Sequence, residues 1–261
     1  EHRGSLLARL YTSMISAATS GAATIIADSH NSREDIISSL HVPSHKVRTI
    51  HLAVSQMYKP SASMEMDPRV RTKYNLPESY VLYLGGFHKR KNVHRLLAAW
   101  TWVDGAIGDQ YPLVVAGQLP DRPDGRLFHD LPALADSLGV TDTVRFIGPV
   151  EEADKPALYQ GAACFVFPST YEGFGLPPLE AMACNTPVIT SVRTSLAEVV
   201  GDAAYLVEDP YDSRALGAAI ISLVVDGKLA DDLRERGLRQ VARFSWEKTA
   251  LATVEVYRRV C

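Results

Sequence analysis

Short apolar runs alternate along the chain with stretches in which apolar residues recur every three or four positions. The runs predict strands and the periodic stretches predict helices, so their alternation indicates a parallel sheet covered by helices. From residue 80 onward the pattern is regular, and it predicts a single α/β domain with a doubly wound parallel sheet. The predicted strands are residues 80–85, 113–116, 144–147, 164–167, 188–190 and 204–207.

Predicted helices separate these strands and close the chain. The first spans residues 92–103, and a second ends at residue 138 after a Pro- and Gly-containing loop at 120–125. Further helices are predicted at 155–160, 177–184, 196–200, 213–225, 229–243 and 246–260. The tryptophans on these helices, Trp100, Trp102 and Trp246, are expected in the core.

Before residue 80 the pattern is weaker. It predicts helices at 4–20 and 32–40 and strands at 22–27 and 47–52, which are too few strands for a second complete domain of this type. Residues 53–67 show little pattern and predict a linker. We therefore expect a small incomplete N-terminal portion with its linker at 1–59, a main domain at 60–240 and a terminal helical segment at 241–261.

Composition excludes several classes of protein. Apolar residues make up 46% and charged residues 22%, a mixture that can bury a core without disulfides. With 27 basic and 30 acidic residues the net charge is −3, which argues against a nucleic-acid partner. The three cysteines (Cys164, Cys184 and Cys261) show no metal-ligand spacing. No apolar run reaches membrane-spanning length and no signal-peptide pattern opens the chain, so we expect a cytoplasmic protein. Because residue 1 is Glu, we expect a fragment of a longer chain.

A basic turn follows the first strand of the main domain. Lys89, Arg90 and Lys91 lie beside the predicted start of a helix, where the helix dipole disfavours cations. A bound anion would remove this conflict, and phosphate suits a bidentate Arg90 with Lys91 as a point charge. The alternative is an ordinary solvated turn.

A glycine- and proline-rich turn follows the fourth strand. Gly173 and Gly175 permit a tight turn, and Pro177 suits the first helical position. The N–H groups of Gly175 and Leu176 then face outward and form a second potential anion-binding site.

Two glutamates flank this turn. Glu180, one turn into the helix, can accept hydrogen bonds from a pair of sugar hydroxyls, whereas Glu172 lies in the loop, nearer a reacting group. The alternative is that both carboxylates only complement the helix dipole.

Other motifs are absent from the sequence. Gly173 and Gly175 form half of a dinucleotide fingerprint, but Pro178 occupies the third glycine position, which disfavours an NAD-type oxidoreductase. There is no P-loop and no Gly-x-Ser-x-Gly elbow. No Asp-x-Asp pair occurs, so we expect no metal bridging phosphates.

Residues 172–180, Glu-Gly-Phe-Gly-Leu-Pro-Pro-Leu-Glu, resemble the Glu-x7-Glu element of glycosyltransferase family 4, a large retaining group with the GT-B fold. The flanking segments 167–169, 181–189, 198–204 and 244–246 resemble that family too, and Arg90-Lys91-Asn92 resembles its diphosphate-binding turn. The similarity begins near residue 23 and continues to the end of the chain.

The resemblance implies two Rossmann-like domains that face each other across a cleft. Residues 1–59 would be a remnant of the N-terminal acceptor domain with its linker, 60–240 the nucleotide-sugar-binding domain, and 241–261 a helix that crosses back. The implied reaction is metal-independent and cofactor-free hexosyl transfer with retention, from a GDP- or UDP-sugar to a glycan or lipid-linked acceptor in polysaccharide biosynthesis. Mannosyltransferase-like activity and peripheral membrane contact are further expectations. The alternative is a donor-binding module without transfer activity, because most of the acceptor domain is missing.

The resemblance also implies residue roles. Glu172 would face the donor sugar, Glu180 would bind the ribose, and Arg90 and Lys91 would hold the diphosphate. The backbone near sugar and phosphate would come from Gly173, Phe174, Gly175 and Leu176, and Val150 would lie near the base. Gly86 stands where many members carry another arginine. Asn185 replaces the usual glycine, in a left-handed conformation that Asn tolerates.

Overall fold

The computed structural model describes residues 6–61 and 66–260, with side chains from residue 10 onward. The predicted helix start at residue 4, part of the predicted linker (62–65) and Cys261 lie outside the described residues. The chain divides into two compact units. The larger is Val54–Arg243, and the smaller comprises Glu1–Ala53 and Phe244–Cys261.

Helices and strands alternate through most of the described residues. The helices are α1 (Leu6–Gly21), α2 (His30–Leu40), α3 (Pro68–Lys73), α4 (Val93–Val103), α5 (Leu131–Ser137), α6 (Lys155–Gly161), α7 (Leu176–Ala183), α8 (Ser195–Val200), α9 (Ser213–Val225), α10 (Gly227–Val241) and α11 (Trp246–Val260). The strands are β1 (Ile25–Ala27), β2 (Val47–Thr49), β3 (Tyr80–Leu84), β4 (Leu113–Ala116), β5 (Val144–Gly148), β6 (Ala162–Phe167), β7 (Val188–Ser191) and β8 (Tyr205–Val207).

The larger unit is built on a six-stranded sheet in the order β5-β4-β3-β6-β7-β8, with every neighbouring pair parallel. All five residues of β3 are buried, as expected for a central strand covered by helices on both faces. The chain winds outward from β3 in one direction and from β6 in the other, so a topological switch point lies between these two strands. The predicted doubly wound α/β fold is confirmed.

The smaller unit contains α1, β1, α2, β2 and α11. Strands β1 and β2 pair in parallel, and Ala27, Val42 and Val47 form a small buried core. Thr249 on α11 donates a hydrogen bond to the carbonyl of His51 at 2.7 Å, so the last helix is tied to the segment after β2. The assignment of the two units as an acceptor-domain remnant and a donor-binding domain stays a prediction.

The structure corrects several local predictions. Helix α3 was not predicted, although Asp67 caps its first turn and Pro68 occupies its first position. The helix that ends near residue 138 is only Leu131–Ser137. The preceding segment stays irregular because Asp124 Oδ1 accepts hydrogen bonds from three successive backbone N–H groups, those of Arg126, Leu127 and Phe128.

The tryptophans divide between core and surface. Trp100 is fully buried, and its Nε1 donates to Thr143 Oγ1 at 3.0 Å. Trp102 and Trp246 are about half exposed, so their predicted core placement is wrong. On a helix, a residue two positions from a buried one faces a different direction, and Trp102 instead stacks under the guanidinium of Arg214.

Candidate active site

The two predicted binding segments meet at the carboxyl ends of β3 and β6, which pair side by side. The carbonyl of Arg90, in the segment after β3, accepts hydrogen bonds from Thr170 N (2.8 Å) and Ser169 Oγ (3.0 Å). Both partners lie in the loop after β6. Because open α/β sheets bind ligands at such a switch point, this junction is the candidate active site.

Glu172 lies between two cations at this junction. Lys91 Nζ is 2.7 Å from Glu172 Oε1, and an Arg90 guanidinium nitrogen is 3.2 Å from Oε2. The Lys91 and Glu172 side chains are only 15% and 10% exposed, whereas that of Arg90 is 43% exposed. The inner ion pair is thus shielded from water, and the outer cation remains accessible to an anion from solvent.

The third cation of the basic turn is directed elsewhere. Residues Lys89–Lys91 form a single 3-10 turn. Lys89 donates from its side chain to the carbonyl of Gly125, and from its backbone N–H to the carbonyl of Leu127 at 2.8 Å. Of the three adjacent cations, Arg90 and Lys91 therefore reach Glu172, and Lys89 anchors the loop after β4.

Asn92 separates the basic turn from α4. It adopts a left-handed conformation (φ 62°) that Asn tolerates better than most residues, and its side chain is buried. Its Nδ2 donates to the carbonyl of Pro210 at 2.7 Å, while its Oδ1 has no hydrogen-bond partner among the described residues. The predicted start of this helix is thus displaced by one residue to Val93, and the cations project from a turn that precedes it.

The start of α7 combines a strained glycine with two prolines. Gly175 has φ 112°, and a Cβ there would lie 3.0 Å from Leu196 Cδ2, so glycine is required at this point. Pro177 and Pro178 have no N–H group. Among the first residues of α7, Leu176 therefore carries the N–H that has no intrahelical acceptor.

Two residues that the sequence analysis missed hold the backbone of Glu172. Its N–H donates to Thr194 Oγ1 at 3.0 Å, and its carbonyl accepts from Ser195 Oγ at 2.9 Å. Thr194 has φ 52° and ψ −134°, an unfavourable conformation for a β-branched residue. The strain coincides with a hydrogen bond to a predicted site residue. No local sequence signal marks a contact between residues 22 positions apart.

Glu180 belongs to a second group of side chains. Tyr159 on α6 donates from its hydroxyl to Glu180 Oε2 at 2.9 Å. Burial raises the pKa of Glu180, and the Tyr159 hydrogen bond opposes that rise. The structure therefore places the two predicted glutamates in different surroundings. Glu172 pairs with cations, and Glu180 with a tyrosine.

The remaining predicted residues lie around these groups. Gly86 is exposed, and nothing lies within 4 Å of the position a Cβ would take. Its carbonyl accepts from Tyr83 Oη at 2.5 Å. Phe174 is buried in the loop before α7, and Val150 is half-buried just after β5. The binding roles assigned to these residues stay predictions.

Residues 67–240, roughly two thirds of the chain, match the family described as Glycosyl transferases group 1. The chain belongs to this family. The predicted glycosyltransferase class is therefore confirmed at the level of the family. The GT-B type of fold is supported as well.

Relatives of this group 1 chain agree with the assignment. O-antigen chain mannosyltransferase B of Escherichia coli is 39% identical over 235 residues, covering 90% of this chain and 60% of the relative. Sucrose-phosphate synthase from Thermosynechococcus elongatus superposes with a TM-score of 0.81 at 30% identity, over 98% of this chain and 64% of that one. Anabaena HepE, solved in complex with UDP and glucose, has a TM-score of 0.78 at 21% identity, over 92% and 64% of the two chains. The chain thus spans less than two thirds of each.

A row of aromatic rings supports both glutamate groups of the group 1 domain. Neighbouring centroids are 5.1–6.4 Å apart, within the range of favourable ring contacts. At one position Lys91 Nζ lies 4.9 Å from the centroid of Phe167, and at another the Tyr159 hydroxyl bonds Glu180. The row runs from Tyr58 through Tyr159, Phe165, Phe167 and Tyr83 to Phe87.

Close approach of two strand ends requires a further glycine, which the sequence analysis missed. Gly117 follows β4 with φ 146°, and a Cβ there would lie 2.1 Å from the carbonyl oxygen of Gly85. The backbones after β3 and β4 can therefore converge only with glycine at this position.

Within the described part of the chain, no helix combines the length and the apolar character that crossing a bilayer requires.

Proposed function

We propose that this chain binds a nucleoside diphosphate sugar at the carboxyl ends of β3 and β6, as the donor-binding part of a retaining glycosyltransferase of family 4. The observation that carries the proposal is the convergence of Lys91 and Arg90 on Glu172 at the switch point. A donor diphosphate could replace Glu172 as the partner of both cations and leave its carboxylate facing the attached sugar.

The chemistry of transfer fits this arrangement. Departure of a nucleoside diphosphate builds negative charge on the leaving oxygens. Fixed cations and helix N–H groups stabilise such charge without reorganisation. We propose that Arg90, Lys91 and the N–H of Leu176 supply this stabilisation, and that transfer is independent of a metal ion.

The donor and acceptor follow from the relatives. One relative is named a mannosyltransferase of the O-antigen chain, and the HepE structure contains UDP and glucose. We propose a GDP- or UDP-linked hexose, with mannose favoured, as donor, and a glycan or lipid-linked glycan as acceptor in the full-length parent. A cytoplasmic location with peripheral membrane contact is part of the same proposal. A donor-binding module without transfer activity remains the alternative for this chain in isolation.

Calorimetry with GDP, UDP, GDP-mannose and UDP-glucose tests the proposal. Arg90→Ala and Lys91→Ala should each weaken diphosphate binding by about 1.5–3 kcal/mol, because each removes a charge-assisted contact. Binding of the free nucleoside should not change. Lys73→Ala is the matched control, since Lys73 pairs with Asp154 at 2.7 Å outside the candidate site. Normal diphosphate binding by both site variants would leave the basic turn as a solvated loop.

Transfer itself is tested in the full-length parent. The product anomer, identified by proton NMR, should have the donor's configuration, and activity should persist in excess EDTA. An inverted product or complete loss of activity in EDTA would contradict the mechanism while leaving donor binding by this chain intact.

A further inference from the structure

Tyr159 is held rigidly beside Glu180. Its ring is fully buried and packs edge-to-face on Phe165, with centroids 5.1 Å apart. Its carbonyl accepts from Thr186 Oγ1 at 2.6 Å, and its hydroxyl donates to Glu180 Oε2 at 2.9 Å. A buried ring that is fixed in this way allows its hydroxyl little movement.

This contact restricts the Glu180 side chain. A carboxylate can accept about four hydrogen bonds, so one bond from Tyr159 leaves capacity for others. Free rotation would spread the remaining lone pairs over many directions, whereas the hydrogen bond from Tyr159 restricts the rotation of the carboxylate. Two adjacent hydroxyls of a ribose require such a fixed pair of acceptor directions.

We propose that Tyr159 is a positioning residue that orients Glu180 to accept hydrogen bonds from both ribose hydroxyls and thereby makes the site selective for ribonucleotides over 2′-deoxyribonucleotides. The inference rests on the ribose-binding role of Glu180 within the proposed function. It adds a residue and a source of specificity that the sequence motif does not contain.

The surroundings of Glu180 make the contact measurable. Tyr159 and Lys155 on α6 favour the ionised carboxylate, as does Tyr58, whereas burial and Glu152 disfavour it. The Cys184 thiol lies in the same environment, where burial raises the pKa of that thiol to about 12, so it stays neutral. Removing the Tyr159 hydroxyl therefore raises the pKa of Glu180 further.

The test compares GDP with 2′-deoxy-GDP, or the UDP pair if the chain prefers uracil. Tyr159→Phe should weaken ribonucleotide binding by about tenfold and leave deoxynucleotide binding nearly unchanged. As the pH is lowered, the ribonucleotide affinity of this variant should also begin to fall at a higher pH than that of the parent, because Glu180 is protonated sooner. Tyr74→Phe is the matched control, because it removes a tyrosine hydroxyl that donates to a different carboxylate, Asp154 Oδ2, at 2.8 Å. It should change neither selectivity nor pH profile.

Two Glu180 variants separate the possible failures. Glu180→Gln should abolish selectivity. Glu180→Asp keeps the charge but withdraws it from Tyr159 by one methylene, and should lose selectivity as well. If Glu180→Gln loses selectivity but Tyr159→Phe and Glu180→Asp keep it, the positioning role is refuted and the proposed function survives. If Glu180→Gln itself binds both nucleotides as the parent does, the ribose-binding role of Glu180 is refuted.

Discussion

Neutralising Glu172 should strengthen the binding of a bare nucleoside diphosphate, although Glu172 lies in the candidate site. In the structure its carboxylate is the partner of Lys91 and Arg90. The diphosphate of the proposed donor would compete with that carboxylate for both cations. Glu172→Gln removes the competing charge and keeps the size of the side chain. A diphosphate can then bind the two cations without breaking their ion pairs with Glu172.

The structure sets the magnitude. Two unit charges 4 Å apart attract by about 4 kcal/mol at an effective dielectric constant near 20, and net hydrogen bonds to charged groups are worth about 1.5–3 kcal/mol. The Arg90 contact is discounted because that side chain is 43% exposed. We expect Glu172→Gln to lose about 2 kcal/mol of folding stability, which lowers Tm by about 4–8 °C in a unit of this size. Affinity for GDP or UDP should rise by about tenfold, or 1.4 kcal/mol.

Calorimetry at 50 and 150 mM salt, combined with thermal melts, measures both effects. The gain in affinity should shrink at the higher salt concentration, because screening weakens the competing ion pairs. A sugar-bearing donor should bind less tightly to the variant than to the parent. Asp154→Asn is the control, since it neutralises a carboxylate paired with Lys73 at 2.7 Å. Unchanged or weaker binding of the bare diphosphate by Glu172→Gln would refute the competition argument.

Three further predictions concern other positions. Gly86→Arg should leave Tm unchanged and tighten diphosphate binding about three- to tenfold by calorimetry, because open space surrounds the Cβ position; a lowered Tm or weaker binding would contradict this. Gly117→Ala should lower the free energy of unfolding, measured by chemical denaturation, by more than about 3 kcal/mol. Gly139→Ala should lower it by about 1–2 kcal/mol, because Gly139 has φ 69° but no atom within 4 Å of its Cβ position. Equal losses would show that the clash at Gly117 is relieved. Burial, then His129 and nearby cations, lower the pKa of His94 from 6.5 to about 4. The unfolded chain therefore binds the proton first, and stability falls as the pH drops from 6.5 to 4; His94→Gln should flatten this decline in urea midpoints, and an unchanged slope would refute it.

Local sequence patterns were sufficient for the sheet and for the two turns that follow its first and fourth predicted strands. Six apolar runs specified the strands, but the pairing of β3 with β6, which brings Arg90 and Glu172 to one junction, came from the structure. Asn185 has φ 64°, the left-handed conformation expected from the resemblance, since the family usually has glycine at this position. Asp67 and Pro68 are typical of a helix N-cap and a first helical residue, so the start of α3 was predictable. It was missed because residues 53–67 show little hydrophobic periodicity.

Contacts between distant residues could not be predicted in the same way. Thr194 reaches Glu172, and Tyr159 reaches Glu180, only after the sheet has formed. The two residues of each pair lie on different elements, so neither helical nor strand periodicity predicts their contact. The opposite surroundings of the two glutamates, one between cations and one buried beside a phenol, are likewise products of packing.

The row of six rings has a consequence for how the choice of the proposed donor can change in this chain. The row underlies Lys91 at one position and contacts Glu180 at another, and protein interiors pass a change in volume on to neighbouring side chains. Altering Phe165 or Phe167 should therefore displace both Lys91 and Glu180. Gly86 and Val150 lie outside the row. Under the proposed donor binding, a new base or sugar should accordingly be accommodated by exchange at such outer positions, while the spacing between Lys91 and Glu180 stays the same.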